Sequence, residues 1–265
     1  MNIFFRELVA YRKGILFWSI GMIALVGSGM AKFAAYQSSG QSISSILAQF
    51  PKSIQVIFGI SGFDLTRASG FYGVLFLYIV LMATVHAVLL GTDIIAKEER
   101  DKTTEFLFVK PISRTAVLTS KLTAGLINII ILNLVTLVSS VYFVSLVNKG
   151  GSEAADILVL MCGLFLLQLI FFMIGVAIAA TSTKPKASPS RATSILLFTF
   201  ILSMFININA GLDNLKYLTP FRYFDAHLLM ANGRLDPVYV ILSLVLIGGL
   251  IYTTFRTYDG RDLGV

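Results

Sequence analysis

Apolar and charged residues are segregated along this chain into long blocks. Six long, predominantly apolar runs carry no Asp, Glu, Lys or Arg: residues 14–31, 68–92, 122–148, 157–183, 192–212 and 237–255. A helix rising about 1.5 Å per residue needs about 20 apolar residues to cross a hydrocarbon core of about 30 Å. All six runs meet that length, the first and last narrowly. An unpaired backbone amide is too costly to leave exposed to lipid, and the runs are continuously apolar rather than alternating, which selects helices over a closed barrel. The pattern predicts an all-α membrane protein, one transmembrane domain over 1–265, with spans at about 14–35, 69–95, 119–147, 156–182, 191–211 and 237–256.

The segments between the runs differ in character. In residues 1–13, MNIFFRELVAYRK, Phe4 and Leu8, and Phe5 and Val9, stand at helical spacing while Arg6, Glu7, Arg12 and Lys13 stay polar. This predicts a short interfacial helix before the first span, or a basic terminus that only sets topology. No small-residue cleavage site is obvious after the first run, so it is expected to be retained. From Ser38 to Asp64, Ser and Gly alternate with apolar residues, which suits short surface helices between turns. Residues 213–236 gather Tyr217, Phe221, Tyr223 and Phe224 around Pro220, either as an aromatic belt at headgroup level or as an outward gate, and the segment could dip back into the membrane. Lys184–Arg191, with two prolines, reads as a tight turn. No repeat relates the first three spans to the last three. Small residues over Gly175–Ala180 and at Gly248 and Gly249 permit close helix approach and are candidates for a seam between two copies.

Composition sharpens this picture. The chain is 56% hydrophobic with a mean hydropathy of +0.83, well above the roughly 45–50% apolar content of soluble domains. Its net charge of +7 is a matter of topology. With connections assigned alternately, the side holding both termini carries fourteen Lys or Arg and the other side seven, which places both termini in the cytoplasm of a cell membrane. Contact with anionic lipid follows, and no basic stripe with interleaved aromatics points to nucleic acid. The single cysteine, Cys162, can form no internal disulfide and is expected to be a small buried hydrophobe.

Several kinds of chemistry are missing. The longest connection is 36 residues, too short for a soluble catalytic domain. The patterns G-x-x-x-x-G-K-[ST], H-E-x-x-H and G-x-S-x-G do not occur, so the chain is not expected to be an enzyme or to bind a metal or cofactor itself. The runs contain no carboxylate whose protonation could be tied to transport, which weakens an ion-coupled carrier. They do contain His86, Asn128, Asn133, Gln168, Asn207 and Asn209. These residues could line a substrate path, although interhelical hydrogen bonds worth about 0.6–2 kcal/mol explain them equally well.

Against this background, KEERDKTTEFLFVKPISR, from Lys97 to Arg114, is exceptional: nine of its eighteen residues are charged, in a chain only 13% charged. Glu98 and Lys102 form a favourable i, i+4 helical pair, and Pro111 marks a helix end. Topology requires only Lys and Arg, whereas Glu98, Glu99, Asp101 and Glu105 would repel an anionic leaflet, so mixed charge favours a protein partner. A short stiff element tethered to two spans is suited to dock in a groove on that partner.

The stretch continuing to Lys121 resembles the signature of ABC-2 type exporter membrane subunits, an E-x-x-x-G-T-x-E-x-L core followed by Pro, Ser-Arg and a Lys opening the next span. Glu98, Thr103, Glu105, Leu107, Pro111, Ser113, Arg114 and Lys121 match, while Lys102 stands where glycine is usual. The resemblance implies six transmembrane helices of the ABC-2 exporter type with a cytoplasmic coupling helix between helices 2 and 3. It also implies a second permease subunit, identical or similar, and two copies of a separate ATPase subunit that binds ATP and Mg. On that reading Glu98, Glu99, Thr103, Glu105, Leu107, Pro111 and Arg114 contact the ATPase. An apolar path with scattered Asn and aromatic groups suits export of an amphipathic drug, antimicrobial peptide or lipid. A membrane scaffold recruiting a cytoplasmic protein through 97–114, and an ion-coupled carrier, stand as alternatives.

Overall fold

The computed structural model describes residues 3–39, 51–60, 62–101, 113–148 and 153–260, and every regular element among them is helical. In chain order these are α1 (Ile3–Ser39), the short α2 (Lys52–Ile57), α3 (Ala68–Arg100), α4 (Arg114–Val147), α5 (Ala154–Thr181), α6 (Ser188–Ile208), α7 (Ala226–Asn232) and α8 (Pro237–Asp259). Tight 3-10 turns at Pro185–Ala187, Ala210–Leu218 and Pro220–Arg222 complete the list. Six helices, α1, α3, α4, α5, α6 and α8, are long and apolar enough to cross a membrane, as the six runs predict.

The helices extend beyond the apolar runs because their ends carry their own start signals. Ser113 opens α4, its hydroxyl accepting from the Ala116 amide at 3.2 Å. Asp236 opens α8 in the same way, accepting from the Val238 amide at 2.9 Å ahead of Pro237 at the first helical position. Residues 3–13 are the first turns of α1 itself, continuous with the span. No proline or glycine separates them from it until Gly14, and a lone glycine does not break a helix.

α3 and α5 form the centre, with the other spans around them. Their backbones are pressed together: a Cβ added at Gly91 would overlap the Phe172 carbonyl oxygen, and one at Gly175 would overlap the Val88 carbonyl oxygen. Small residues at a crossing let two helices approach this closely in lipid, where dispersion replaces the hydrophobic effect as the driving force. A buried hydrogen bond of 2.7 Å from the Tyr72 hydroxyl to Ser140 ties α3 to α4.

Two expectations are corrected here. Gly175–Ala180 is not a seam open to a second copy, because Gly175 packs on α3 and Val176, Ala179 and Ala180 are fully buried within the chain. By contrast, Gly248 and Gly249 face open space. Cys162 is exposed rather than buried; it lies on the face of α5 turned away from α3, where lipid accepts a thiol as readily as a core does.

These contacts predict opposite outcomes for two chemically identical changes. Gly175→Val should lower stability by about 1–3 kcal/mol or more through overpacking, read as a fall in the Tm of the purified protein in lipid. Gly248→Val should leave the Tm unchanged.

Candidate functional site

At the end of the bundle where the first turns of α1 meet the last turns of α8, charge is buried. In the first turns of α1, Phe4, Glu7, Leu8 and Tyr11 share one helical face. Phe4, Leu8 and Tyr11 pack into an apolar cluster with Ile94, Ile95, Leu118 and Tyr258, which carries Glu7 inward to 0% exposure. Glu7 pairs there with Lys97 and, at 3.1 Å, with Arg6. Glu98, only 7% exposed, accepts from Arg6 at 3.2 Å and pairs with Lys121, which is 0% exposed. The Lys121 ammonium also donates to the Ile94 carbonyl at 2.7 Å.

A second group adjoins the first. The Tyr11 hydroxyl donates to Asp93 at 2.8 Å, Arg100 holds the same carboxylate at 2.5 Å, and Asp101 accepts from Arg100 at 3.1 Å. Lys97 lies over the Tyr11 ring, 4.8 Å from its centroid, and so links the two groups. Four cations, Arg6, Lys97, Arg100 and Lys121, meet four carboxylates, Glu7, Asp93, Glu98 and Asp101. Among the described residues these charges balance, with Glu7, Glu98 and Lys121 buried and Arg6, Arg100 and Asp101 at the exposed margin.

The opposite end holds a cavity of about 350 Å³ between α3, α6 and the 209–236 segment. Phe76, Phe200, Phe221 and Phe224 wall it, with Asn207, Arg222, Asp225 and His227 at its polar side. Asp225 caps α7, accepting from the His227 and Leu228 amides at 3.0 and 3.3 Å. Its other oxygen takes Arg222 at 3.2 Å, and Arg222 also donates to Asn207.

A family model described as ABC-2 family transporter protein matches residues 1–263. The chain belongs to this family. No curated protein sequence matches it. It is therefore the membrane subunit of an ABC transporter, an ABC-2 permease with six apolar helices.

In this permease the residues expected at an ATPase contact divide into three groups. Thr103, Glu105, Leu107 and Pro111 lie outside the described residues. Glu99 and Arg114 are partly exposed at the ends of α3 and α4. Glu98 is turned inward to Arg6 and Lys121. The contribution of Glu7 escaped sequence reasoning, although it stands at helical spacing from Phe4 and Tyr11; nothing local says that residue 7 meets residue 97.

The six polar residues considered for a substrate path are dispersed. Asn133 donates to Gln168 at 3.0 Å and to the Met161 carbonyl at 3.3 Å, joining α4 to α5, while Gln168 Nε2 is buried with no hydrogen-bond partner among the described residues. Asn128 donates to its own helix at Ala124, 2.8 Å away. His86 packs edge-on against Trp18 of α1 with ring centroids 5.3 Å apart. Asn209 caps the following 3-10 turn through the Gly211 amide at 3.0 Å. Asn207 alone of the six lines the cavity. Of the aromatic residues considered for a gate, Phe221 and Phe224 also line it. Tyr223 stands behind them, stacked on Tyr239 at 5.1 Å and bonded to the Tyr217 carbonyl at 2.5 Å. The Tyr223 phenol is raised above its ordinary pKa, chiefly by burial and then by the neighbouring Tyr239.

Burying Lys121 against Glu98 makes each group depend on the other. Lys121→Met should cost about 3 kcal/mol, because it strips a buried carboxylate of one of its cations. At roughly 2–4 °C per kcal/mol for a chain of this size, the Tm should fall by about 6–12 °C. Adding Glu98→Met to that variant should recover more than half of the loss. Additive losses in the double variant would show that the pair is not coupled.

Proposed function

We propose that this permease exports an amphipathic substrate from the cell, driven by two copies of a separate ATPase subunit that binds ATP and Mg, with a second permease subunit, identical or similar, completing the transporter. The observation that carries this reading is the anchoring of 97–114. The segment leaves the end of α3 and returns at the start of α4, and those two roots are joined by the Glu98–Lys121 pair. Glu7 and Arg6 join the same roots to α1. A push delivered at these roots would therefore reach three spans together.

Within this reading Glu99, Thr103, Glu105, Leu107, Pro111 and Arg114 meet the ATPase. Glu98 keeps its place in the contact region as a positioning residue, holding the root from which the others project. Membership of the ABC-2 family supports association with an ABC ATPase, and the lack of a phosphate-binding loop in the sequence accords with hydrolysis elsewhere. The excess of Lys and Arg on the side of both termini supports a cytoplasmic location for them and for 97–114. ATP-driven closure of the ATPase pair would move the segment, tilt α3 and α4, and open a path outward.

The test is copurification from native membranes followed by ATPase assay in lipid. An ATPase should accompany the tagged chain. The double change Glu105→Lys, Leu107→Glu should reduce its recovery at least tenfold, with no change in the Tm of the permease. Recovery of the intact permease without an ATPase would favour a scaffold, and transport driven by an ion gradient without ATP would favour a carrier.

A further inference from the structure

The cavity at the end of the bundle opposite the termini has the build of a ligand site. Its walls come from four separate stretches: Gly59, Gly62 and Phe63 beyond α2; α3; the last turns of α6; and 221–228. Two glycines let the first stretch close over it. Gly59 and Gly62 take positive φ of 69° and 89°, a conformation that side chains with a Cβ rarely adopt. A Cβ at Gly62 would also stand 2.8 Å from the His227 ring. Phe63 meets His227 edge-on with centroids 5.6 Å apart, so this stretch and α7 are fitted to each other around the space.

The lining is divided by chemistry. On the bundle side, Phe221 packs between Phe171 and Phe200, with ring centroids 4.9 and 5.2 Å away, and Phe76 and Met204 extend the apolar surface. On the other side Arg222 is held in place by Asp225 and Asn207, both through Nη1, and its side chain keeps 18% exposure at the cavity's edge. A guanidinium fixed by two neighbours and still partly exposed at the cavity is set to take an oxygen of a ligand head group. Pockets for small ligands share this plan, an apolar body with a few placed polar groups.

Volume limits what fits. At about 350 Å³ the cavity lies at the small end of the range for small-ligand sites. A folded peptide or a polysaccharide is far too large, and a two-chain lipid could insert only part of one tail. We propose that this cavity binds a small single-chain or ring amphiphile, its apolar body against Phe76, Phe200 and Phe221 and an oxygen-bearing head group at Arg222. The same chemistry is offered by a free amphiphile and by one acyl chain of a bilayer lipid. Binding here does not depend on the ATP-driven export reading.

The experiment is photolabelling of the full-length permease in phosphatidylcholine nanodiscs with a diazirine analogue of decanoate, which has twelve non-hydrogen atoms, mapped by peptide mass spectrometry. Saturable labelling is expected on peptides holding Phe200–Met204 and Phe221–Leu228, and tenfold excess decanoate should compete it away. Met204→Trp, which fills the apolar side, should abolish the labelling, while Val245→Trp on the exposed face of α8 should preserve it. Arg222→Gln should raise the half-saturating concentration at least tenfold. A parallel arm with phosphatidylcholine carrying the diazirine in one acyl chain separates the sources: labelling of the same peptides that decanoate does not displace identifies a bilayer chain as the occupant. Labelling by both probes that is spread over lipid-facing helices, or unchanged by Met204→Trp, would overturn the proposal.

Discussion

One end of this bundle is organised around a knot of charge in which, among the described residues, four cations meet four carboxylates. Glu7 and Lys121 have no exposure at all, and each is buried only because Arg6, Lys97 and Glu98 complete the set. A buried ion pair adds little net stability, because desolvation offsets most of the attraction, but removing one member is costly. What such a knot provides is registry. It holds the first turns of α1, the last turns of α3 and the early turns of α4 in one arrangement, and apolar packing of Phe4, Leu8 and Tyr11 alone would allow sliding.

The other constraint is the crossing of α3 and α5. Gly91 and Gly175 place backbone against backbone there, leaving little room for the two helices to shift past each other. Motion imposed at the Glu98 end of α3 would thus be carried along the central pair toward Phe76, which lines the far cavity. In an ABC-2 permease this connects the side where an ATPase would act with the side where a small amphiphile is proposed to bind. The link consists of the close α3–α5 crossing with identified contacts at both ends.

The spans were legible because lipid imposes one rule on every residue within it: no charge, and no unpaired amide. That rule makes the runs at 68–92 and 157–183 readable without any knowledge of their neighbours. Pairings that join distant residues were not legible. Lys121 and Glu98 could be recognised as unusual charges, but their union is a fact of packing between α3 and α4, and it turns Glu98 inward where local charge pattern suggested an exposed contact. Gly175 could be read as a close-approach residue, yet its partner turned out to be α3 of the same chain. Cys162 was misjudged for a related reason: within a span, polarity does not say which face meets lipid. The cavity drew on four stretches of chain, of which only the aromatic residues Phe221 and Phe224 and the amide of Asn207 had stood out.

The most direct measurement of the central claim is amide hydrogen exchange across residues 3–11 and 93–101 in the protein and in Glu7→Gln, which keeps the side chain's size and removes its charge. If the ionic knot sets the registry of these helix ends, exchange there should quicken at least tenfold in Glu7→Gln, while the α3 amides near Gly91 stay as protected as before. Unchanged protection of residues 3–11 would contradict the account, because the end of α1 would then be held by apolar packing and the charges would be passengers.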